Sequence, residues 1–452
     1  MKSHRTIVVI AAAVLACTAG PAHAQGIGPD LLQIPIKTYS LDEVQPTSAA
    51  PQCDIAAVVA QTATDPELAS VSLSVGTKRQ TYVEVRADTL KTYTDYVKDV
   101  GVRVLDVDTC TTSVITVTKT YGKAQIDVPV ATRHGRVWRT MSEPVAVLKV
   151  PAGWDMSVVR RENGIEWNNY NTQFHIASPS GRIVVGLKYP IVNDLPKRGQ
   201  PRITMVTNVP YSDELAIPSL ITRGFDSLAA TDANARAALR EQGVMSQAFP
   251  DLLVADVKAL KPEFTTRRIV DEHMDEGEAL IDPLWSANRV FVSVGANGPN
   301  FAAYTCSGAS ACGRAQFTAG TYAMVRRRYP DAGLITDFTS AYRDPVNITE
   351  AMILLDDMNL KELIGAFGPS IADDPLLEEY LAAAYNTGVT RVIAVLKIAR
   401  AKHLPEWTDA RGRDCHAGTY RQCLLAQTKG YDAKLRYLRD QWTPAQAVAV
   451  KP

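Results

Sequence analysis

Residues able to do chemistry gather in a few stretches of the chain. Residues 311–322 read Ala-Cys-Gly-Arg-Ala-Gln-Phe-Thr-Ala-Gly-Thr-Tyr: a glycine turn, an amide, an aromatic ring and a Thr-Tyr pair ahead of a helical run. Such a turn can form one wall of a sugar-binding cleft; the plainer alternative is a loop-to-helix junction. Upstream lies an acidic run, with Asp271, Glu272, Asp275, Glu276 and Glu278, whose plain reading is a solvated helix end and loop. Trp154, Trp167 and Tyr170, with Asn168 and Asn169 between the last two, could stack on a sugar ring and bond its hydroxyls. Tryptophans in a β-rich region belong more often to its core. Ser293 and Ser307 have no Asp/His set to activate them. No His-Glu-x-x-His occurs, and His416 beside Cys415 is no ligand set, so no metal or cofactor is expected. Arg326, Arg327 and Arg328 read as a solvated helix face.

The chain must supply elements that position these groups. Its 452 residues allow two or three domains, and 46% hydrophobic with 21% charged residues is a globular composition. Lys+Arg and Asp+Glu both total 48, so no basic excess points to nucleic acid. Lys2 and Arg5, the apolar residues 7–16 and the small-x-small Ala22-His23-Ala24 form an export signal, with cleavage expected after Ala24 into a periplasmic or extracellular product. A lipid anchor on Cys17, preceded by Val14-Leu15-Ala16, is the alternative. Without Cys17, six cysteines remain. An even count in an exported chain reads as disulfides, and proximity along the chain pairs Cys53 with Cys110, Cys306 with Cys312, and Cys415 with Cys423.

The expected fold class is α+β: a leader at 1–24, a β-rich, sandwich-like domain at 25–206, a mostly helical domain at 207–442, and a tail at 443–452. Short β-branched runs at 71–75, 81–85, 102–107, 113–117, 145–150, 174–176, 182–187 and 202–206 predict strands, interrupted by a helix at 89–98. A short helix is expected at 54–60. Beyond residue 207 helices are expected at 219–228, 232–241, 262–274, 321–329, 348–357, 376–385, 389–401 and 431–441, with short strands at 252–257 and 289–294.

Four motifs then occur in order between about residues 264 and 437. They are Gly-Arg-Ala-Gln-Phe-Thr-Ala-Gly-Thr-Tyr at 313–322, Asp-Pro-Val-Asn-Ile-Thr-Glu-Ala at 344–351, Leu-Ala-Ala-Ala-Tyr-Asn-Thr-Gly at 381–388 with Arg391 and Val392, and Gln-Thr-Lys-Gly-Tyr at 427–431. This segment resembles the soluble lytic transglycosylases of the lysozyme-like superfamily. The first motif is similar to the family's Gly-Leu-Met-Gln turn, and the third to its Ala-Ala-Tyr-Asn-x-Gly signature. The fourth is similar to its Glu-Thr-x-x-Tyr segment, with Gln for Glu. The second is similar to the segment that starts the next helix, with Asp344-Pro345 setting a turn and Asn347 as cap.

The resemblance implies cleavage of the β-1,4 bond between N-acetylmuramic acid and N-acetylglucosamine in peptidoglycan, leaving a 1,6-anhydro end. One carboxylic acid suffices. It protonates the glycosidic oxygen, then takes the proton of the sugar's own 6-hydroxyl as that oxygen attacks the anomeric carbon. Most glycosidases use two carboxylates instead. The acid must be protonated near neutral pH, so it needs an apolar cleft. In the family it ends a helix shortly before the glycine turn. Counting back from Gln316 reaches residues 295–298, which hold no carboxylate. Glu272 is the expected acid, near the end of the helix at 262–274 with Ile269 and Val270 before it and His273 after it; a strand at 290–294 would then separate acid from turn. Glu276 and Glu278 are the alternatives. Tyr385 and Asn386 would line the cleft. Gln316 would bond a sugar or only tie down its own loop. Thr321 and Tyr322 read as a helix start and a packing ring. Peptidoglycan strands are the expected partner, with cell-envelope proteins besides. A hydrolase using water, and a non-catalytic glycan-binding scaffold that lost its acid, both stay open on these residues alone.

Overall fold

In the computed structural model of the protein the described residues are 53–86, 89–133, 135–158, 173–193, 202–415 and 422–443. The expected leader with Cys17, the cluster of Trp167, Asn168, Asn169 and Tyr170, His416 and the tail beyond Thr443 lie outside them. The chain is mixed α and β, an N-terminal antiparallel sheet followed by a helical region.

Two short helices open it. Asp54 caps α1 (Ile55–Ala60) and Asp65 caps α2 (Pro66–Ser70), each side chain accepting from a first-turn N–H. Then come β1 (Val75–Arg86), β2 (Thr89–Asp106), β3 (Thr111–Thr132), β4 (Gly135–Lys149), β5 (Asp155–Val158), β6 (Phe174–Ser178), β7 (Arg182–Asn193) and β8 (Arg202–Asn208). All pairs are antiparallel. The six-stranded sheet runs β4-β3-β2-β7-β8, and β1 shares β2 with β7. β1 pairs the first half of β2 (Val85 opposite Leu90), and β7 pairs the second (Leu105 opposite Ile183). The expected sandwich resolves as this one large sheet and a separate two-stranded ribbon, β5 with β6.

Period-two alternation decides what each face meets. Val102, Val104, Val184 and Leu187 turn to one face, where Met156, Phe174 and Ile176 of the ribbon cover them. Leu105, Ile183 and Val185 turn to the other and join the core of the helical region. Arg103, on that second face, ion-pairs Asp65 at 2.7 Å and donates to the Val58 carbonyl at 2.8 Å, holding the opening helices down. The Cys53–Cys110 disulfide closes the same segment.

The helices are α3 (Pro218–Glu241), α4 (Pro262–His273), α5 (Glu276–Ile281), α6 (Pro283–Asn297), α7 (Ala319–Arg328), α8 (Phe338–Arg343), α9 (Pro345–Phe367), α10 (Leu377–Thr387), α11 (Val389–Ala401) and α12 (Ala426–Asp440). α9 is the hub: residues 347–357 are all buried, so protein surrounds this stretch of the helix on every side. Its buried Asp357 is satisfied by Ser246, by the Gln247 N–H and by the Tyr329 hydroxyl.

Several expectations are corrected. Residues 89–98 are strand, not helix. They are rich in Thr and Tyr, and β1 supplies the ladder partner from Val75 to Arg86. Residues 71–74 are a connection, with β1 starting at Val75, and 252–257 hold a single 3-10 turn rather than a strand. The helices expected at 219–228 and 232–241 are one, α3. Residues 289–294 are not an inserted strand but the middle of α6. Asp282 caps it by accepting from the Trp285 N–H, and Pro283 takes the first turn. The β-branched run misleads because α6 is buried continuously from Ser286 to Gly295. It crosses α3 where Gly224 meets Gly295: a Cβ on either would lie 2.0 Å from a carbonyl oxygen of the other helix. Finally, Asp344 caps α9, accepting from the Val346 and Asn347 N–H groups. Asn347 is instead buried, bridging the Ile335 N–H and the Ala341 carbonyl.

Candidate active site

α4 starts at Pro262 and ends at His273, which puts Glu272 in its last turn. The cations around that helix end answer its orphan carbonyls. Lys434 of α12 donates to the Asp271 and Met274 carbonyls at 2.6 and 2.8 Å, and Arg289 of α6 donates to that of His273 at 3.3 Å. Glu272 is half-buried. Burial pushes it up to about 7; the Tyr431 hydroxyl, Lys434 and Arg268 hold it from rising further. The Tyr431 hydroxyl faces the carboxyl without closing a hydrogen bond of normal geometry. Glu272 in turn raises the Tyr385 and Tyr431 phenols, after burial as the main cause, so both hydroxyls stay protonated.

Tyr385 sits near the end of α10, held by three contacts. Its hydroxyl donates to the Ala315 carbonyl. Its ring meets Phe317 edge-on at 5.6 Å, and the Arg268 guanidinium lies over it at 4.4 Å. Arg268 is fully buried, ion-paired to Asp356 of α9, and stacked also on Phe264 at 5.0 Å. Burial lifts Asp356 to about 6 against the lowering pull of Arg268.

The glycine turn reaches this cluster from the side. Cys312 and Phe317 exchange two backbone hydrogen bonds, and Cys306–Cys312 staples the loop that enters it. Gly313 has φ +73°, and a Cβ there would lie 2.6 Å from the Tyr342 carbonyl oxygen. Gln316 also takes positive φ, 48°, and its amide nitrogen donates to the Gly313 carbonyl at 2.7 Å. His273 joins helix end to turn: its Nε2 lies 2.9 Å from the Arg314 carbonyl. Burial holds that imidazole down at about 4, so it is neutral and Nε2 carries the donated proton.

Of the residues expected from sequence, Glu272 and Tyr385 come together, with Gln316 beside the carbonyl that Tyr385 grips. The Gln316 amide is spent partly on its own turn, the second of its two readings. The Asn386 side-chain oxygen accepts from the Thr428 hydroxyl of α12 at 2.8 Å, which ties the third motif to the fourth. The alternative acids sit elsewhere: Glu276 is exposed, and Glu278 ion-pairs Arg289 at 2.8 Å. Tyr322 is a packing ring whose hydroxyl bonds the Ile335 carbonyl, and the helix N-cap is Thr318. Trp154 packs on the sheet core under Arg182. All three disulfides form as paired. Among the described residues no group of three His, Cys, Asp or Glu could hold a metal, and no helix is long and apolar enough to cross a membrane.

Sequence reading missed Arg268 and Lys434. The signal for Arg268 was available: a cation on an apolar helix face, one turn ahead of the acid. Lys434 carries no local signal, because its targets lie across the fold.

No protein-family model matches the chain, and no curated protein or solved structure does either.

Proposed function

We propose that the helical region is a lysozyme-like domain that cleaves the β-1,4 MurNAc–GlcNAc bond of peptidoglycan as a lytic transglycosylase, with Glu272 as its single general acid and base. One observation carries this reading. A half-buried carboxyl at a helix end is held up near 7 by burial, with the Tyr431 hydroxyl against it and the Tyr385 phenol coupled to it. An acid that must give and then retake a proton near neutral pH needs this setting.

In the proposed reaction Glu272 protonates the leaving oxygen as the C1–O bond breaks. The 6-hydroxyl oxygen of the same sugar bonds to C1 and returns its proton to Glu272. Tyr385 and Tyr431, both coupled to the carboxyl, would shield it from water. The glycine turn, with Gln316, would contact the glycan. The three disulfides fit an exported protein, and export would bring the chain to this substrate.

Mass analysis of products from purified peptidoglycan tests the reading. Anhydro-muropeptides support it. Products heavier by one water would instead make the domain a hydrolase. Binding without product would make it the scaffold that its departures from the family pattern left open.

A further inference from the structure

Arg268 is placed unlike any other arginine near the site. It is 0% exposed, and its guanidinium is clamped between the rings of Phe264 at 5.0 Å and Tyr385 at 4.4 Å. One nitrogen pairs with Asp356; Nε and Nη2 are buried with no hydrogen-bond partner. Burying a guanidinium with two unmatched donors is costly, and apolar residues of similar volume often replace such a pair without loss.

The position relative to Glu272 supplies a reason. Arg268 and Glu272 are four residues apart on α4 and so share a helix face. The groups that act on the carboxyl come from three helices: Arg268 from α4, Tyr385 from α10, Tyr431 and Lys434 from α12. Asp271, next in the chain, is fully buried and ion-paired to Lys434 at 3.1 Å. Lys434 also caps α4 and faces Asp271, so its charge is shared. Asp356 engages one side of Arg268 only.

We propose that Arg268 is a positioning residue of the glycan-cleaving site: it seats the Tyr385 ring beside Glu272 and holds a fixed positive charge against the Glu272 carboxylate during the interval after that residue has given its proton and before it takes one back. This rests on the transglycosylase reading of Glu272. In that reading the carboxyl is neutral at the start and end of a turnover and charged in between. A site that only excluded water would favour the neutral form and stall the first proton transfer. A buried cation one turn away offsets this without offering a proton of its own, since a guanidinium does not deprotonate in this range.

The test is the pH profile of kcat on peptidoglycan, read alongside KM. Arg268→Met alone strands Asp356, so the informative variants are the double replacement Arg268→Met with Asp356→Leu, and Asp356→Asn. The first removes the charge and keeps an apolar fill; the second leaves the charge uncompensated. Glu272 must be protonated to act, so activity falls as pH rises through its titration. The double variant is expected to move that alkaline limb up by about 1 pH unit, and Asp356→Asn to move it down by a similar amount. The double variant also loses kcat by about tenfold with little change in KM. Opposite movements support the proposal. Loss of rate at every pH with the limb unmoved makes Arg268 a packing residue and overturns it, while wild-type anhydro-products leave the transglycosylase reading intact. Absence of such products from wild type instead sinks that reading, and this inference with it.

Discussion

The Nε2 of His273 lies 2.9 Å from the carbonyl oxygen of Arg314, a hydrogen bond across 41 positions of sequence. It fastens the end of α4 to the glycine turn. Between the two lie α5 and α6, and α6 crosses α3 at the Gly224–Gly295 contact. The long sequence gap between acid and turn is therefore an excursion of two helices around a junction that stays closed.

His273→Ala should open this junction. It removes a half-buried donor, strands the Arg314 carbonyl and deletes the ring packed edge-on against Phe301 at 4.8 Å. The expected cost is about 1–3 kcal/mol. Amide exchange over residues 305–317 should speed up while the sheet stays protected. Unchanged exchange in that loop would mean the bond does not hold the turn. The imidazole also contributes a pH dependence. Its folded value, about 4, lies below the unfolded 6.5, so its stability contribution is full above 6.5 and lost as pH falls through 4.

Gly313→Ala tests the turn directly. The substitution meets both a positive φ and a backbone oxygen at 2.6 Å, so the turn must shift. A loss of about 2–4 kcal/mol is expected, together with loss of peptidoglycan cleavage. Gly308→Ala on the same loop meets nothing within 4 Å and serves as the control. Equal behaviour of the two variants in thermal unfolding would contradict the strained turn.

Glu272 should cost stability at high pH. Its folded carboxyl titrates at about 7 against 4.5 for an ordinary Glu. The folded protein keeps a proton that the unfolded chain has released, so stability falls as pH rises from 4.5 through 7. Glu272→Gln mimics the protonated form. It should therefore raise stability by about 2 kcal/mol at about pH 8 and change little at about pH 4. A Tm difference independent of pH would show that Glu272 titrates normally.

The sequence made the ends of the helical elements readable where caps are local. The start of α4 at Pro262 and the whole of α11 were expected almost as found, and so were the three cysteine pairs. Strands from 102 onward were legible because their alternation matches one covered face. What failed was decided by tertiary partners. Residues 89–98 become β2 because β1 offers a ladder, and 289–294 become helix because α3 and the core surround them. At the candidate site, Tyr385 was named from its motif and Glu272 from its place near the end of a helix. Their junction was not, because His273 and Arg314 meet only once α5 and α6 have folded away. Arg268 and Asp356 were hidden for a similar reason: an ion pair between α4 and α9 leaves no mark on either segment alone.

The most direct measurement is mass spectrometry of muropeptides released from purified peptidoglycan by wild type and by Glu272→Gln, with folding of both verified by thermal unfolding. The account predicts 1,6-anhydro-muropeptides from wild type and a loss of at least about a thousandfold in their rate of release by the variant. Equal release by the two proteins, or none from wild type, would contradict it.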